Sequence, residues 1–268
     1  MPTAHRLPRA SDISRASDVS TVPSQRRLFF GAAGLLVAGD AIFWAMLAAV
    51  QSDSGIAAWD APVHDGLVAS RNPAATAVLT AVTTVTSPLW MTVIGFAFAL
   101  GWAAWKRELW RPALLIGAMA ATFALSTLIK HEVDRARPAA GDFLLGPDDA
   151  MSFPSGHTFG AGVFLLVLAY LFAAGRGRRP TSFLAFAAAA AGAVLVAVSR
   201  LYLGYHWLTD VLASLGLAVA VTGMVILTDG LRSARTARLS AGSAVAETFI
   251  PSGSEPHPHG LGDHHSRG

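Results

Sequence analysis

The chain has 268 residues, of which 53% are hydrophobic and only 14% charged, with a mean hydropathy of +0.48. A soluble domain carries about 25% charged residues, so this composition argues against an ordinary water-soluble globule. Cysteine is absent, which removes disulfides and thiolate metal sites, and the pI near 9.8 does not point to nucleic acid, because the basic residues sit between apolar runs, as in an oriented membrane protein.

Residues 1–27 are polar, with Arg6, Arg9, Arg15, Arg26 and Arg27 among Ser, Thr and Pro. They read as a disordered tail, too long and too polar for a cleaved signal peptide. The run Leu28–Val50 is long enough to cross a hydrocarbon core of about 30 Å as a helix. A polar stretch follows, and then a Thr-rich amphipathic segment, Pro73–Ser87, expected to pack on the bundle or lie in the interface. Further spans are expected near Pro88–Trp105, Pro112–Ile129, Thr158–Ala174, Thr181–Val198 and Leu208–Thr228. The fold class is therefore all-α: a six-helix membrane bundle over 28–230, followed by a disordered tail over 231–268. His257, His259, His264 and His265 lie in that tail, where scattered histidines are more often inert than metal-binding. No internal repeat is present.

Loop charge sets the orientation. The N-terminal tail, the Lys106–Arg107–Arg111 connection, the Arg176–Arg178–Arg179 connection and the Arg232–Arg235–Arg238 flank are basic. Both termini are expected in the cytoplasm of a multi-pass protein of the plasma membrane, and the Ala- and Arg-rich composition favours a bacterial inner membrane. Lys130, Arg135, Arg137 and Arg200 fall on the opposite, outer side. Cations against the trend need a reason, and phosphate binding supplies one.

Three clusters land at that end. In the first, Lys130 and Arg137 are seven apart, so a helix running to Pro138 would point both to one side. The chain holds two lysines against eighteen arginines, which makes an ammonium here, beside an arginine fork, notable. In the second, Ser155 is placed to cap the next span, and the first backbone N–H groups and the helix dipole form a ready anion site. Gly156 permits close backbone approach, and His157 lies within reach of the anion. In the third, His206 and Asp210 are four apart and can share a helix face, so that the carboxylate fixes the imidazole tautomer. Each cluster alone has a plainer reading, as snorkelling flank residues, a capped helix or a dipole residue. Their coincidence on one face does not.

Lys130-x6-Arg137-Pro138, Pro154-Ser155-Gly156-His157 and Ser199-Arg200-x5-His206-x3-Asp210 together resemble the three-part signature of the type-2 phosphatidic acid phosphatases, a superfamily shared with bacterial acid phosphatases and vanadium haloperoxidases. The resemblance covers about Asp60 to Thr228, with no departure at any signature position. It implies that Lys130, Arg137, Arg200, Ser155 and the Gly156 amide bind the phosphate. His206 would attack phosphorus and form a phosphohistidine, with Asp210 holding its ring. His157 would protonate the leaving group and then activate water. The expected partners are a lipid phosphate substrate and the bilayer. No cofactor or metal is expected: Asp134, Asp142, Asp148 and Asp149 are the nearest metal candidates and form no evident two-metal cluster.

The implied function is lipid phosphate or diphosphate hydrolysis, with phosphatidic acid, phosphatidylglycerophosphate and polyprenyl diphosphate all open. A non-catalytic lipid-phosphate binding or transport protein, and vanadate-dependent oxidation, are the alternatives. Oligomeric state is not legible. Asp40, inside the first span, is a functional suspect because intramembrane acids are costly, although a bundle-facing hydrogen bond is the simpler account. Asp60 and His64 are expected to be structural.

Overall fold

A computed structural model of the chain describes residues 22–174 and 179–248. The expected tail histidines and Arg6, Arg9, Arg15, Arg176 and Arg178 lie outside the described residues. Eight α-helices are present among them: α1 Val22–Ser52, α2 Asp60–Ala69, α3 Pro73–Val85, α4 Pro88–Lys106, α5 Trp110–Val133, α6 Gly156–Ala174, α7 Arg179–Tyr202 and α8 Leu208–Thr248, with short 3-10 turns at Gly55–Trp59 and Ala140–Asp142. Six are long and apolar enough to cross a membrane, within α1, α4, α5, α6, α7 and α8, and no strand occurs among the described residues. The fold is therefore the all-α, six-span bundle expected.

Two boundaries differ from expectation. Helix α1 begins at Val22, and α8 continues to Thr248, so 22–27 and 231–248 are helical where tails were expected. Arg232, Arg235 and Arg238 supply good helix formers there. The segment from Leu231 onward belongs to a second compact unit, distinct from the bundle that ends at Gly230.

Local chemistry sets the helix starts. Asn72 accepts from the Ala75 amide (2.9 Å) with Pro73 at the first position of α3, and Ser87 accepts from the Trp90 amide (3.4 Å) with Pro88 opening α4. Both are capping side chains followed by a proline whose missing N–H costs nothing there. Helix α3, the expected amphipathic segment, buries Leu79 and Thr83 and packs on α7.

Helix α6 is apolar almost all round and packs against α4, α5 and α7, as a central helix must. The Phe159, Val163 and Val167 side chains on it, and Phe153 in the loop just before it, are wholly buried. On the other flank, α1 approaches α8 through small residues. A side chain at Gly39 would meet the Gly216 carbonyl at 2.4 Å and the Ala220 nitrogen at 2.5 Å, so glycine lets the two backbones touch, the usual device where lipid removes the hydrophobic drive between helices. Phe30, Trp44, Leu100, Trp105 and Phe123 face outward.

Alternating spans bring three connections to one end of the bundle: 53–87 with α2 and α3, the long loop 134–155, and 203–207. At the opposite end Asp229 accepts from Trp110 Nε1 (2.6 Å) and from the Tyr170 hydroxyl (2.8 Å), tying α5, α6 and α8 together.

Candidate active site

All three sequence clusters meet at the loop-rich end. Helix α5 stops at Val133, where Asp134 turns into the left-handed region (φ 49°) and its N–H returns to the Lys130 carbonyl. The stretch from Lys130 to Arg137 is thus not one helix, and the shared-face account of that pair is wrong. Lys130 projects from the last turn of α5 and donates to the carbonyls of Met151 and Ser152. Arg137 comes from the loop, donating through Nε to the Ala150 carbonyl (2.6 Å) and through a terminal nitrogen to the Tyr205 carbonyl (2.7 Å). The two cations converge through the fold, not through periodicity.

Arg200, on the last turn of α7, completes the group. One terminal nitrogen donates to Thr83 Oγ1 (2.8 Å), its guanidinium lies 4.3 Å over the Tyr205 ring, and its buried Nε has no partner among the described residues. A buried arginine donor without an acceptor is costly unless a ligand supplies one. Ser155 precedes α6 and accepts from the Thr158 amide (3.4 Å) and hydroxyl (3.1 Å), so it caps the helix as expected. Gly156 and His157 open that helix, with their backbone N–H groups in its first turn, where no intrahelical acceptor exists.

His206 lies just before α8, in the turn that Gly204 (φ 88°) makes possible. A side chain at Gly204 would meet the Asp142 carbonyl at 2.5 Å. The shared-helix account of His206 and Asp210 is therefore also wrong, because only Asp210 is helical. They meet nonetheless: His206 Nδ1 is 3.3 Å from Asp210 Oδ2, and His206 Nε2 is 3.2 Å from an Arg137 terminal nitrogen. A guanidinium only donates, so Nε2 accepts, and the ring proton belongs on Nδ1, facing the carboxylate. Burial, and then the positive charges of Arg137, Arg200 and Lys130, hold the His206 imidazole well below its ordinary range. The ring is a neutral base with its lone pair toward the cations.

Asp210 is wholly buried and fully engaged. Oδ2 accepts from Ser152 Oγ and from the Trp207 amide (2.9 Å), and Oδ1 accepts from Arg135 (2.6 Å). Arg135 also reaches Asp60 Oδ2 (2.6 Å), and Asp60 in turn accepts from the Thr209 amide (2.9 Å) and hydroxyl (2.7 Å). Arg135 had counted among the cations in need of a phosphate; instead it clamps two carboxylates. Its role was not legible in the sequence, nor was that of Ser152, which has no motif to mark it.

His64 meets Asp142 (3.2 Å) and the Trp207 ring, while Arg71 donates to the carbonyls of Asp142 and Tyr202, so these residues fasten the loop to α2 and α7. Among the described residues no three His, Asp or Glu groups converge on a common point.

Two cavities flank the start of α6. One, about 520 Å³, is an apolar groove between α4, α5 and α6 whose walls include Met91, Phe96, Met119 and Phe123 and whose site end reaches Lys130 and Gly156. The other, about 360 Å³, is more polar and is lined by Thr83, Ser87, Trp90, Asp148, His157 and Arg200. A third groove, about 460 Å³, lies away from the site and includes Asp40 beside Leu36, Gly117, Ala220 and Thr228.

The model of the PAP2 superfamily matches residues 111–232, the stretch that holds all three clusters. That part of the chain is similar to the PAP2 superfamily. Phosphatidylglycerophosphatase B of Bacillus subtilis (strain 168) is 27% identical over 191 residues, covering 69% of this chain and 90% of that protein. The crystal structure of a transmembrane PAP2-type phosphatidylglycerolphosphate phosphatase from Bacillus subtilis superposes with a TM-score of 0.65 at 24% identity, covering 72% of this chain and 96% of that one. LpxE of Aquifex aeolicus is more distant, with a TM-score of 0.47 at 21% identity. With six helices long and apolar enough to cross a membrane, the chain shares the multi-span architecture of the transmembrane Bacillus subtilis structure.

Proposed function

We propose that this protein is a member of the PAP2 superfamily that hydrolyses a phosphomonoester or diphosphate lipid through a phosphohistidine on His206, without a metal ion. The carrying observation is the orientation of His206: a neutral ring whose Nδ1 faces buried Asp210 and whose Nε2 faces Arg137. In this reading Lys130, Arg137, Arg200, Ser155 and the Gly156 amide hold the phosphoryl oxygens. His206 Nε2 attacks phosphorus, the bond to the leaving oxygen breaks, and His157 gives that oxygen a proton. Asp210 stabilises the imidazolium character that develops. His157 then takes a proton from water, the resulting oxygen attacks phosphorus, and the P–N bond breaks to release phosphate and restore His206. Preorganised cations and amides supply the charge stabilisation that phosphoryl transfer mainly requires.

The apolar groove supports a lipid as substrate. It opens between α4, α5 and α6 within the spanning region and ends at Lys130 and Gly156, so chains can stay among helices while the phosphate reaches the cations. The similarity to phosphatidylglycerophosphatase B favours a phosphatidylglycerophosphate-like monoester; phosphatidic acid and polyprenyl diphosphate are the comparison substrates. The site is read as facing the outside of the plasma membrane, from the loop charges.

Phosphate release from these three lipids in detergent with excess EDTA tests the reading, and strict dependence on added Mg²⁺ would overturn the metal-free mechanism. Rapid-quench trapping under alkaline conditions tests the roles. The His157→Ala protein accumulates ³²P-labelled phosphoenzyme from an activated substrate, and His206→Ala does not. Label retained on His206→Ala assigns the attack to another residue.

A further inference from the structure

The cation cradle already holds an anion of the chain's own. Asp148 Oδ2 lies 2.8 Å from an Arg137 terminal nitrogen and 4.0 Å from one of Arg200, beside the cavity that His157 also lines. The carboxylate is positioned from both sides. Its Oδ1 accepts from the Ala150 amide (3.2 Å), and Arg137 Nε holds the Ala150 carbonyl. Upstream, the Tyr205 hydroxyl accepts from the Leu145 amide (2.9 Å) and donates to the Gly146 carbonyl (2.7 Å), anchoring the loop two residues before Asp148. Yet Asp148 is 30% exposed, whereas Asp210 is fully buried, so its side chain can leave the cradle without unmaking the core.

We propose that Asp148 is a specificity-determining residue, an internal anion that occupies the position between Arg137 and Arg200 and yields to phosphomonoesters and diphosphates but not to phosphodiesters. The inference rests on the reading of this cradle as the phosphate site. Its physical basis is charge. A phosphomonoester carries about −1.5 to −2 near neutral pH, more than the single charge of a carboxylate, and gains more from the paired guanidiniums. A phosphodiester head group carries one charge, no more than the carboxylate it would have to expel. In a bilayer, where phosphodiester lipids far outnumber any phosphomonoester substrate, such a competitor keeps the site clear of non-substrates. It also weakens monoester binding by the fraction of time the carboxylate is seated.

The test uses the full-length protein in mixed micelles, with hydrolysis of a lipid phosphomonoester as readout. Inorganic phosphate and the phosphodiester phosphatidylglycerol serve as competitors. In Asp148→Asn, which keeps the shape and removes the charge, inhibition by inorganic phosphate tightens about tenfold, and phosphatidylglycerol becomes a competitive inhibitor where it is inert toward the wild type. Asp148→Ala shows the same two changes. Unchanged or weaker inhibition by phosphate in both variants, each running as a monodisperse species on size exclusion, overturns the proposal and makes Asp148 a plain support of the loop. Failure of phosphate to inhibit the wild type at any concentration instead overturns the phosphate reading of the cradle, so the two failures are distinguishable.

Discussion

Folding disfavours the protonated form of His206. Burial and three nearby cations hold the folded ring neutral well below its ordinary range, whereas the unfolded ring binds a proton at a pH of about 6.5. Below that pH the unfolded state carries the extra proton, so stability falls as pH drops. The melting temperature in detergent is expected to decline from pH 7.5 to 5.5, and His206→Gln is expected to flatten the slope; parallel slopes would show that the native ring does protonate. Arg135 presents the converse case of a charge that must stay. It is the shared partner of buried Asp60 and Asp210, and removing one member of such a buried set costs about 3–5 kcal/mol. Chemical denaturation of Arg135→Ala should show a loss of that order, partly recovered by adding Asp60→Asn. A loss below about 1 kcal/mol would mean that water reaches the two carboxylates.

At the scale of helices, the apolar groove between α4, α5 and α6 exists because α6 presents glycine to it. Gly160 lines the groove with nothing within 4 Å of where a side chain would start. Gly160→Phe should therefore fill it without a backbone clash. The expected result is a KM for a long-chain lipid phosphate raised about tenfold, equal to about 1.4 kcal/mol of binding, with p-nitrophenyl phosphate turnover unaltered. An equal loss on both substrates would remove the groove from the lipid path. Gly39 is the opposite kind of glycine: any side chain there strikes the backbone of α8, and substitution should loosen the α1–α8 pair instead of altering substrate choice.

For the whole molecule, six spans put residues 107–109 and the 134–155 loop at opposite ends of the bundle. The positive-inside pattern assigns the first to the cytoplasm and the second to the outside. The absence of native cysteine makes the check direct. An impermeant maleimide on intact cells is expected to label a cysteine replacing Asp149, which is exposed, and to spare one replacing Leu109, which is 76% exposed. The reverse labelling would turn the site to the cytoplasm.

Much of this was written in the chain itself. Long apolar runs determine the six spans, because a single segment can satisfy its own backbone hydrogen bonds in lipid only as a helix. Capping residues and prolines mark where α3 and α4 begin, through contacts a few residues long. The signature residues were legible because their types and spacing report chemistry, even though two local accounts of their geometry failed: Lys130–Arg137 is broken by the turn at Asp134, and His206 lies before α8 begins at Leu208, so it shares no helix with Asp210. What only the tertiary structure decided lies between elements distant in sequence. Arg135 was one more cation until Asp60, 75 residues away, and Asp210, 75 residues the other way, were found on its two terminal nitrogens. Asp148 was a weak metal candidate until the fold set it between two guanidiniums. A carboxylate's function depends on the charges it faces, and in a bundle closed by long loops those charges come from other helices, beyond the reach of any local pattern.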